Sequence, residues 1–162
     1  MRLSPRLKTI LSFVEGKVLA DIGTDHGYVP IIACLEKNID RAYACDVSPG
    51  PLKAAESNIK QYGLENRIFT RCDFGLRAIS KEDNLDDLCV VIAGMGGMNI
   101  IEILNDPANN LNINRLIVQP QRDILAVKSA IKDMGYSIID EVTTQDRQRL
   151  YTVIVASVKN SE

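Results

Sequence analysis

Short apolar runs alternate with amphipathic helical stretches along most of this chain, and that rhythm limits its fold more than any other feature. Leu3, Leu7, Ile10, Leu11 and Val14 recur at helical spacing, with Ser4 as N-cap and Pro5 at the first helical position. The spacing predicts a helix over about 3–15, stopped by Gly16. Strands are expected over 18–22 and 42–46, around a helix over 28–37. Leu52, Ala55, Ile59 and Tyr62 share one face of the next helix, which Gly63 ends. Three further strands are expected at 67–72, 88–93 and 116–118. Helices are expected over 98–104 and along Ile124, Val127, Ile131 and Met134, the latter ended by Gly135. Strands this uniformly apolar are covered on both faces, so the pattern argues a parallel, doubly wound α/β sheet.

The tail breaks the rhythm. Two β-rich runs, 136–144 and 150–158, are separated only by Gln145, Asp146, Arg147, Gln148 and Arg149. So short a connection makes an antiparallel pair, because a parallel crossover needs a dozen residues or more. A mostly parallel sheet with an antiparallel C-terminal hairpin resembles the Rossmann-like class I methyltransferase fold. A dinucleotide-binding dehydrogenase domain is expected to continue with parallel units instead.

The chain's 162 residues suit one domain, 1–162, with a core that needs no metal or disulfide staple. No apolar run approaches the roughly 20 residues of a membrane span. The opening Met1-Arg2-Leu3-Ser4-Pro5 lacks the apolar segment of a signal peptide. A cytoplasmic monomer with no membrane contact is the expectation. Cys34, Cys45, Cys72 and Cys89 are widely spaced, with no CxxC pair and no histidine cluster, so they read as buried small hydrophobes and no metal site is expected. A histidine-based catalytic set would have to be built around His26, the chain's single histidine. The net charge of −2 counts against a free-standing nucleic-acid binder, yet leaves room for a local basic patch.

Five segments carry candidate chemistry, each at an expected strand end, where open α/β sheets bind ligands. The first is Asp21, Ile22, Gly23, Thr24, Asp25, His26, Gly27 and Tyr28. Its glycines allow a tight turn and close approach to a ligand, but the spacing is not GxGxxG. Asp25 between them would repel a pyrophosphate and is tolerable beside a sulfonium and an ammonium. That favours S-adenosylmethionine over a nicotinamide dinucleotide. The second is Asp46, 19 residues past Gly27, placed to accept from ribose hydroxyls or to cap the next helix, a task also open to Ser48. The third pairs Asp73, for an adenine amine, with Phe74, for the ring; a turn aspartate is the alternative. Ala93, Gly94, Met95, Gly96 and Gly97 form the fourth, either an acceptor site or a flexible turn with Met95 in the core. Gln119, Pro120, Gln121 and Arg122 form the fifth, as substrate contacts or surface loop.

The stretch Ala20 to Pro30, with Ile92 to Gly97 and Val118-Gln119-Pro120, resembles the bacterial tRNA (adenine-N1)-methyltransferase family acting at adenine 22. The opening Leu3 to Leu7 is similar too, so the likeness runs from Leu3 to about Ser157. It implies methyl transfer from S-adenosylmethionine to N1 of an adenine in the tRNA D-arm. Asp21, Gly23, Thr24, Asp25, His26, Gly27, Tyr28, Asp46, Asp73, Phe74 and Ala93 would then hold the cofactor. Gly94, Met95, Gly96 and Gly97 would form the catalytic loop, with Gln119, Pro120 and Arg6 on the substrate. N1 has its own lone pair, so positioning rather than a strong base should supply most of the rate. The Asp/Asn-Pro-Pro-aromatic motif of exocyclic-amine methyltransferases is missing after the fourth strand. Arg2, Arg6, Lys8, Arg147 and Arg149 are candidate phosphate contacts. Family members usually carry a further helical C-terminal domain implicated in tRNA binding, which the sequence up to Glu162 lacks. Two other readings compete: a non-catalytic S-adenosylmethionine-binding or scaffolding module, and an NAD(P)-dependent oxidoreductase.

Overall fold

A computed structural model describes residues 2–158; Met1 and residues 159–162 of the expected domain lie outside the described residues. Helix α1 (Pro5–Phe13) leads into β1 (Val18–Ile22), α2 (Tyr28–Glu36), β2 (Arg41–Asp46), α3 (Pro49–Gln61) and β3 (Ile68–Cys72). After a 3-10 turn (Gly75–Ala78) come β4 (Leu88–Met95), α4 (Gly97–Asn105), β5 (Ile113–Pro120) and α5 (Ile124–Asp133). The hairpin β6 (Tyr136–Asp146) and β7 (Arg149–Val158) closes the chain. The strand order is β3-β2-β1-β4-β5-β7-β6. Strands β1 to β5 are parallel, and β7 runs antiparallel to both β5 and β6. The doubly wound sheet with its antiparallel hairpin is therefore as expected, and the strand order reverses between β1 and β4.

Local chemistry explains the elements. Ser4 Oγ accepts from Leu7 N at 3.2 Å, capping α1 with Pro5 at its first position. Gly63, at φ 68°, ends α3 in the left-handed conformation that a Cβ would penalise. Every residue of β1 is buried, as the continuous apolar run implied.

Two core layers sandwich the sheet. Leu19, Val91, Ile117, Val153 and Val155 pack toward Ile10 and Ile31 on one face. Ala20, Ile92, Val118 and Ile154 pack toward Ile100, Val127 and Ile131 on the other. With a strand period of two, Asp21, Ala93 and Gln119 must then point to the same face as Leu19, Val91 and Ile117, which is the face that α1 covers. The core layers thus decide which side chains meet beneath α1.

Four details depart from the sequence reading. The 3-10 turn was not expected. Strands β4 and β5 run two residues further at their carboxyl ends, taking in Gly94, Met95, Gln119 and Pro120. The hairpin strands close on a two-residue turn, Arg147 and Gln148, rather than a five-residue connection. With no Gly or Asn to mark the bend, Arg147 adopts φ 58° itself. Finally, Cys72 is exposed at the carboxyl end of the edge strand β3; the other three cysteines are buried. Among the described residues no His/Cys/Asp/Glu group fits a metal, and no helix is long and apolar enough to cross a membrane.

Candidate functional site

The β1–α2 loop is fixed by backbone bonds. Gly23 N and Thr24 N both donate to Cys45 O, at 2.9 and 2.8 Å, tying the loop to the end of β2. Asn58 Nδ2, on α3, donates to His26 O at 2.8 Å. Gly23 and Gly27 take φ of 78° and 74°, conformations that favour glycine. A Cβ on Gly23 would also lie 2.9 Å from Met95 Cε, so the β1 and β4 loops touch here. Asp25 and His26 are exposed and paired, and the His26 ring stacks on Tyr28 at 5.5 Å.

Asp21, near the end of β1, and Thr24, in the loop that follows, are both buried polar residues. Burial pushes the Asp21 carboxyl up to about 7, helped by the nearby charges of Asp25 and Asp46; the Thr24 hydroxyl and Arg6 pull it partly back. Among the described residues Thr24 Oγ1 has no partner of ordinary hydrogen-bond geometry, so its approach to Asp21 is a weak contact. Unpartnered buried polar atoms are uncommon, and they mark where a ligand would be satisfied.

At the neighbouring strand ends the carboxylates are less buried. Asp46 Oδ1 accepts from Ser48 N at 2.9 Å, bracing the β2–α3 loop. Ser48 occupies the N-cap position of α3, yet its side chain makes no capping hydrogen bond. Asp73 N donates to Asp46 O at 3.1 Å, and Asp73 Oδ1 accepts from Phe74 N at 2.7 Å. Phe74 is half-buried, with the Arg77 guanidinium 5.7 Å from its ring centre. Val47, beside Asp46, is an apolar residue that the sequence reading missed, and it is 66% exposed. An apolar residue directly after the β2 acid was its only signal.

The β4 end is built around a buried amide. Gly94 sits in a register shift between Ala93 and Met95 with φ 74°. Gln119 Oε1 accepts from Gly94 N at 3.0 Å and from Arg6 Nη1 at 3.3 Å, while its Nε2 donates to Pro120 O at 3.2 Å. Gln119, expected on the substrate, is fully buried and joins β5, the β4 bulge and α1. Gly97, expected in the catalytic loop, opens α4 with no room for a side chain: a Cβ would lie 2.4 Å from Arg122 O. Gly96 is buried as well, with Arg122 Nε 3.3 Å from where its Cβ would be. Of that glycine run only Gly94 is exposed.

A cavity of about 200 Å³ gathers Arg6, Asp21, Gly23, Asp25, Ala93 and Gly94 beneath α1. Among the described residues Arg6 is the one cation lining it. Thr24, His26 and Gly27 belong to the loop beside it, and Tyr28 opens α2. Asp46, Asp73 and Phe74 continue the row along the ends of β2 and β3. Gln119 and Pro120 line a separate cavity toward β7. The row of carboxylates on β1 to β3 is hostile to phosphate and hospitable to a cation.

A methyltransferase-domain family model matches residues 3–154. The chain belongs to that family. It is 35% identical over 158 residues to the tRNA (adenine(22)-N(1))-methyltransferase of Bacillus subtilis, covering 96% of this chain and 65% of that relative's length. A Streptococcus pneumoniae structure with S-adenosyl-L-methionine aligns at TM-score 0.90 and 32% identity, over 99% of this chain and 75% of that one. The structure of M. capricolum TrmK with S-adenosyl-homocysteine aligns at TM-score 0.89 and 29% identity, over 97% of this chain and 69% of that one. The resemblance carried by the β1 and β4 loops thus extends over the whole family domain, α1 included.

Proposed function

We propose that the chain binds S-adenosylmethionine and transfers its methyl group to N1 of an adenine in tRNA, at position 22. The observation that carries this is the row of carboxylates over a glycine turn, with a buried Asp21 and an unpartnered Thr24 at its centre. When bound, the cofactor supplies an electrophilic methyl on sulfur, and its loss leaves S-adenosylhomocysteine. Asp21 and Thr24 would meet the amino-acid portion, and Arg6 suits its carboxylate. Asp46, through the oxygen not engaged with Ser48, would accept from the ribose, and Asp73 from the adenine amine. Val47 and Phe74 offer apolar surface to the purine. The same acids disfavour a pyrophosphate, which weighs against the oxidoreductase reading.

For the acceptor, the exposed Gly94 would let the base edge approach the backbone, held in place by Gln119 from below. N1 forms its bond to the methyl carbon as the carbon–sulfur bond breaks. The nucleobase keeps the positive charge that sulfur gives up, so no general base is required. Gly94 and its brace then act by positioning, and misplacing the acceptor by an ångström costs on the order of a hundredfold in rate. The tests are calorimetry with S-adenosylhomocysteine against NAD, and methyl incorporation into unmodified tRNA. Tighter binding of NAD, or cofactor binding without methylation of any RNA, would overturn this function.

A further inference from the structure

The β5–β7 ladder ends at Val118 and Ile154, and β5 itself ends two residues later at Pro120. The β6–β7 ladder continues for five more pairs, from Val142 and Val153 to Asp146 and Arg149. The hairpin therefore projects as an arm past the carboxyl edge of the sheet, on the side where the candidate site lies. Two cavities flank it. One, of about 1090 Å³, lies between the arm and the start of α1 and includes Arg2, Asp146, Arg147, Arg149 and Tyr151. The other, of about 430 Å³, faces the β5–α5 loop and includes Arg122, Ile124, Arg149 and Tyr151. Arg149 and Tyr151 border both.

The two cavities contain four arginines and one aspartate, in a chain whose net charge is −2. Elsewhere the arginines are committed to the fold. Arg41, Arg67, Arg71, Arg77 and Arg115 all donate to carbonyls or carboxylates. Arg2, Arg122, Arg147 and Arg149 make no such bond among the described residues. Arg149 and Tyr151 share one face of β7 with Val153 and Val155, so the guanidinium and the ring stand side by side. Tyr151 also leads back to the site. The Arg6 guanidinium lies 5.9 Å from its ring centre, Arg6 binds Gln119, and Gln119 binds Gly94 N.

We propose that this arm docks the acceptor RNA strand, with Arg147 and Arg149 on its phosphates and Tyr151 as the platform for an unstacked base. The proposal rests on the base-methylation reading and names the residues that present the base. A polyanion supplies the charge that uncommitted arginines attract. Bases recognised outside a duplex stack on aromatic rings beside guanidinium groups. A base acted on chemically must also leave its stack, and a ring between the phosphate contacts and Gly94 gives it a place to rest.

The test uses the 162-residue chain with S-adenosylhomocysteine and an unmodified tRNA transcript bearing adenine at position 22, binding being followed against salt concentration. The double variant R147A/R149A should weaken RNA binding about tenfold or more and lower the salt slope by about two. Lys60 and Lys132 stand in the last turns of α3 and α5, so K60A/K132A removes equal charge elsewhere and should change little. Tyr151→Phe should bind RNA like the parent, whereas Tyr151→Leu, which keeps apolar bulk without a stacking face, should lose several-fold. S-adenosylhomocysteine affinity should be unchanged throughout. Arm variants that bind and methylate RNA like the parent would overturn the arm alone, as would equal losses in the lysine control or in both Tyr151 variants. A parent chain that binds S-adenosylhomocysteine but no RNA would overturn the arm and the methylation reading together.

Discussion

The carboxyl edge of the sheet carries opposite charge at its two ends. Over β1 to β3 stand Asp21, Asp25, Asp46 and Asp73, fixed by backbone bonds to one another's loops. Over β5 and the β6–β7 arm stand Arg122, Arg147 and Arg149, exposed and, among the described residues, uncommitted. The acidic end is tied down by backbone bonds and partly buried, which suits one small cation. The basic end is open and projecting, as an extended polyanion requires. A net charge of −2 averages the two and hides both. What decides binding is the local field, and here each end has its own sign.

The sharpest way to break the contrast is to remove charge from the centre of the acidic end. Burial raises the Asp21 carboxyl from its ordinary 3.8 to about 7. Between those values the folded chain holds a proton that the unfolded chain has lost, so stability falls as pH rises through this window. Asp21→Asn should therefore stabilise the ligand-free chain at pH 8 by up to about 4 kcal/mol, and by almost nothing at pH 4. Urea melts at the two pH values test this. Equal effects at both would mean that Asp21 is not held neutral. The same variant should bind S-adenosylhomocysteine more weakly, so stability and affinity move in opposite directions.

A second change sits at the junction of the two ends. Gly97→Val would press a side chain into Arg122 O and Asp123 Cβ, 2.4 and 2.8 Å from the new Cβ. Overpacking of this kind costs about 1–3 kcal/mol, so the melting temperature should drop before any effect on methyl transfer is separable. A variant as stable as the parent would show that the β5–α5 loop yields freely. Asp46→Ala tests the acidic end further out. Losing a bond to a charged acceptor should weaken S-adenosylhomocysteine binding by about 1–3 kcal/mol in calorimetry. A melting temperature that falls while affinity holds would reduce Asp46 to its bond with Ser48 N.

The two ends were not equally legible in the sequence. The acidic end is written locally: a strand, a glycine turn, and an acid 19 residues on all lie within one β-α-β stretch. Alternation and turn chemistry fix such features without knowledge of the partner strands. The centre and the basic end depend on contacts between distant residues. Gln119 meets Arg6 across 113 positions, and nothing in Val-Gln-Pro signals that the amide is buried. That Gly97 leaves no room for a side chain shows only once the β5–α5 loop is packed against it. Arg147 and Arg149 were visible as charges, but Tyr151 gained meaning only from the arm's projection and from Arg6.

The smallest expected effect is at the tip of the arm, where stability and function should again part. Arg147 holds φ 58° in the two-residue turn, a conformation that costs a side-chain-bearing residue on the order of 1 kcal/mol. Arg147→Gly relieves that strain but gives the unfolded chain more freedom to lose, so the net gain should stay below about 1 kcal/mol. Arg147→Asn tolerates the same conformation and adds less unfolded-state entropy, so it should be at least as stable as the glycine variant. Both variants remove the guanidinium, and both should weaken RNA binding by the amount that Arg147→Ala does. Denaturant melts and salt titrations on the same three proteins separate the terms. If glycine and asparagine destabilise the hairpin, Arg147 is holding the turn through its side chain. If RNA affinity follows turn stability rather than charge, the arm acts through its shape and not through Arg147.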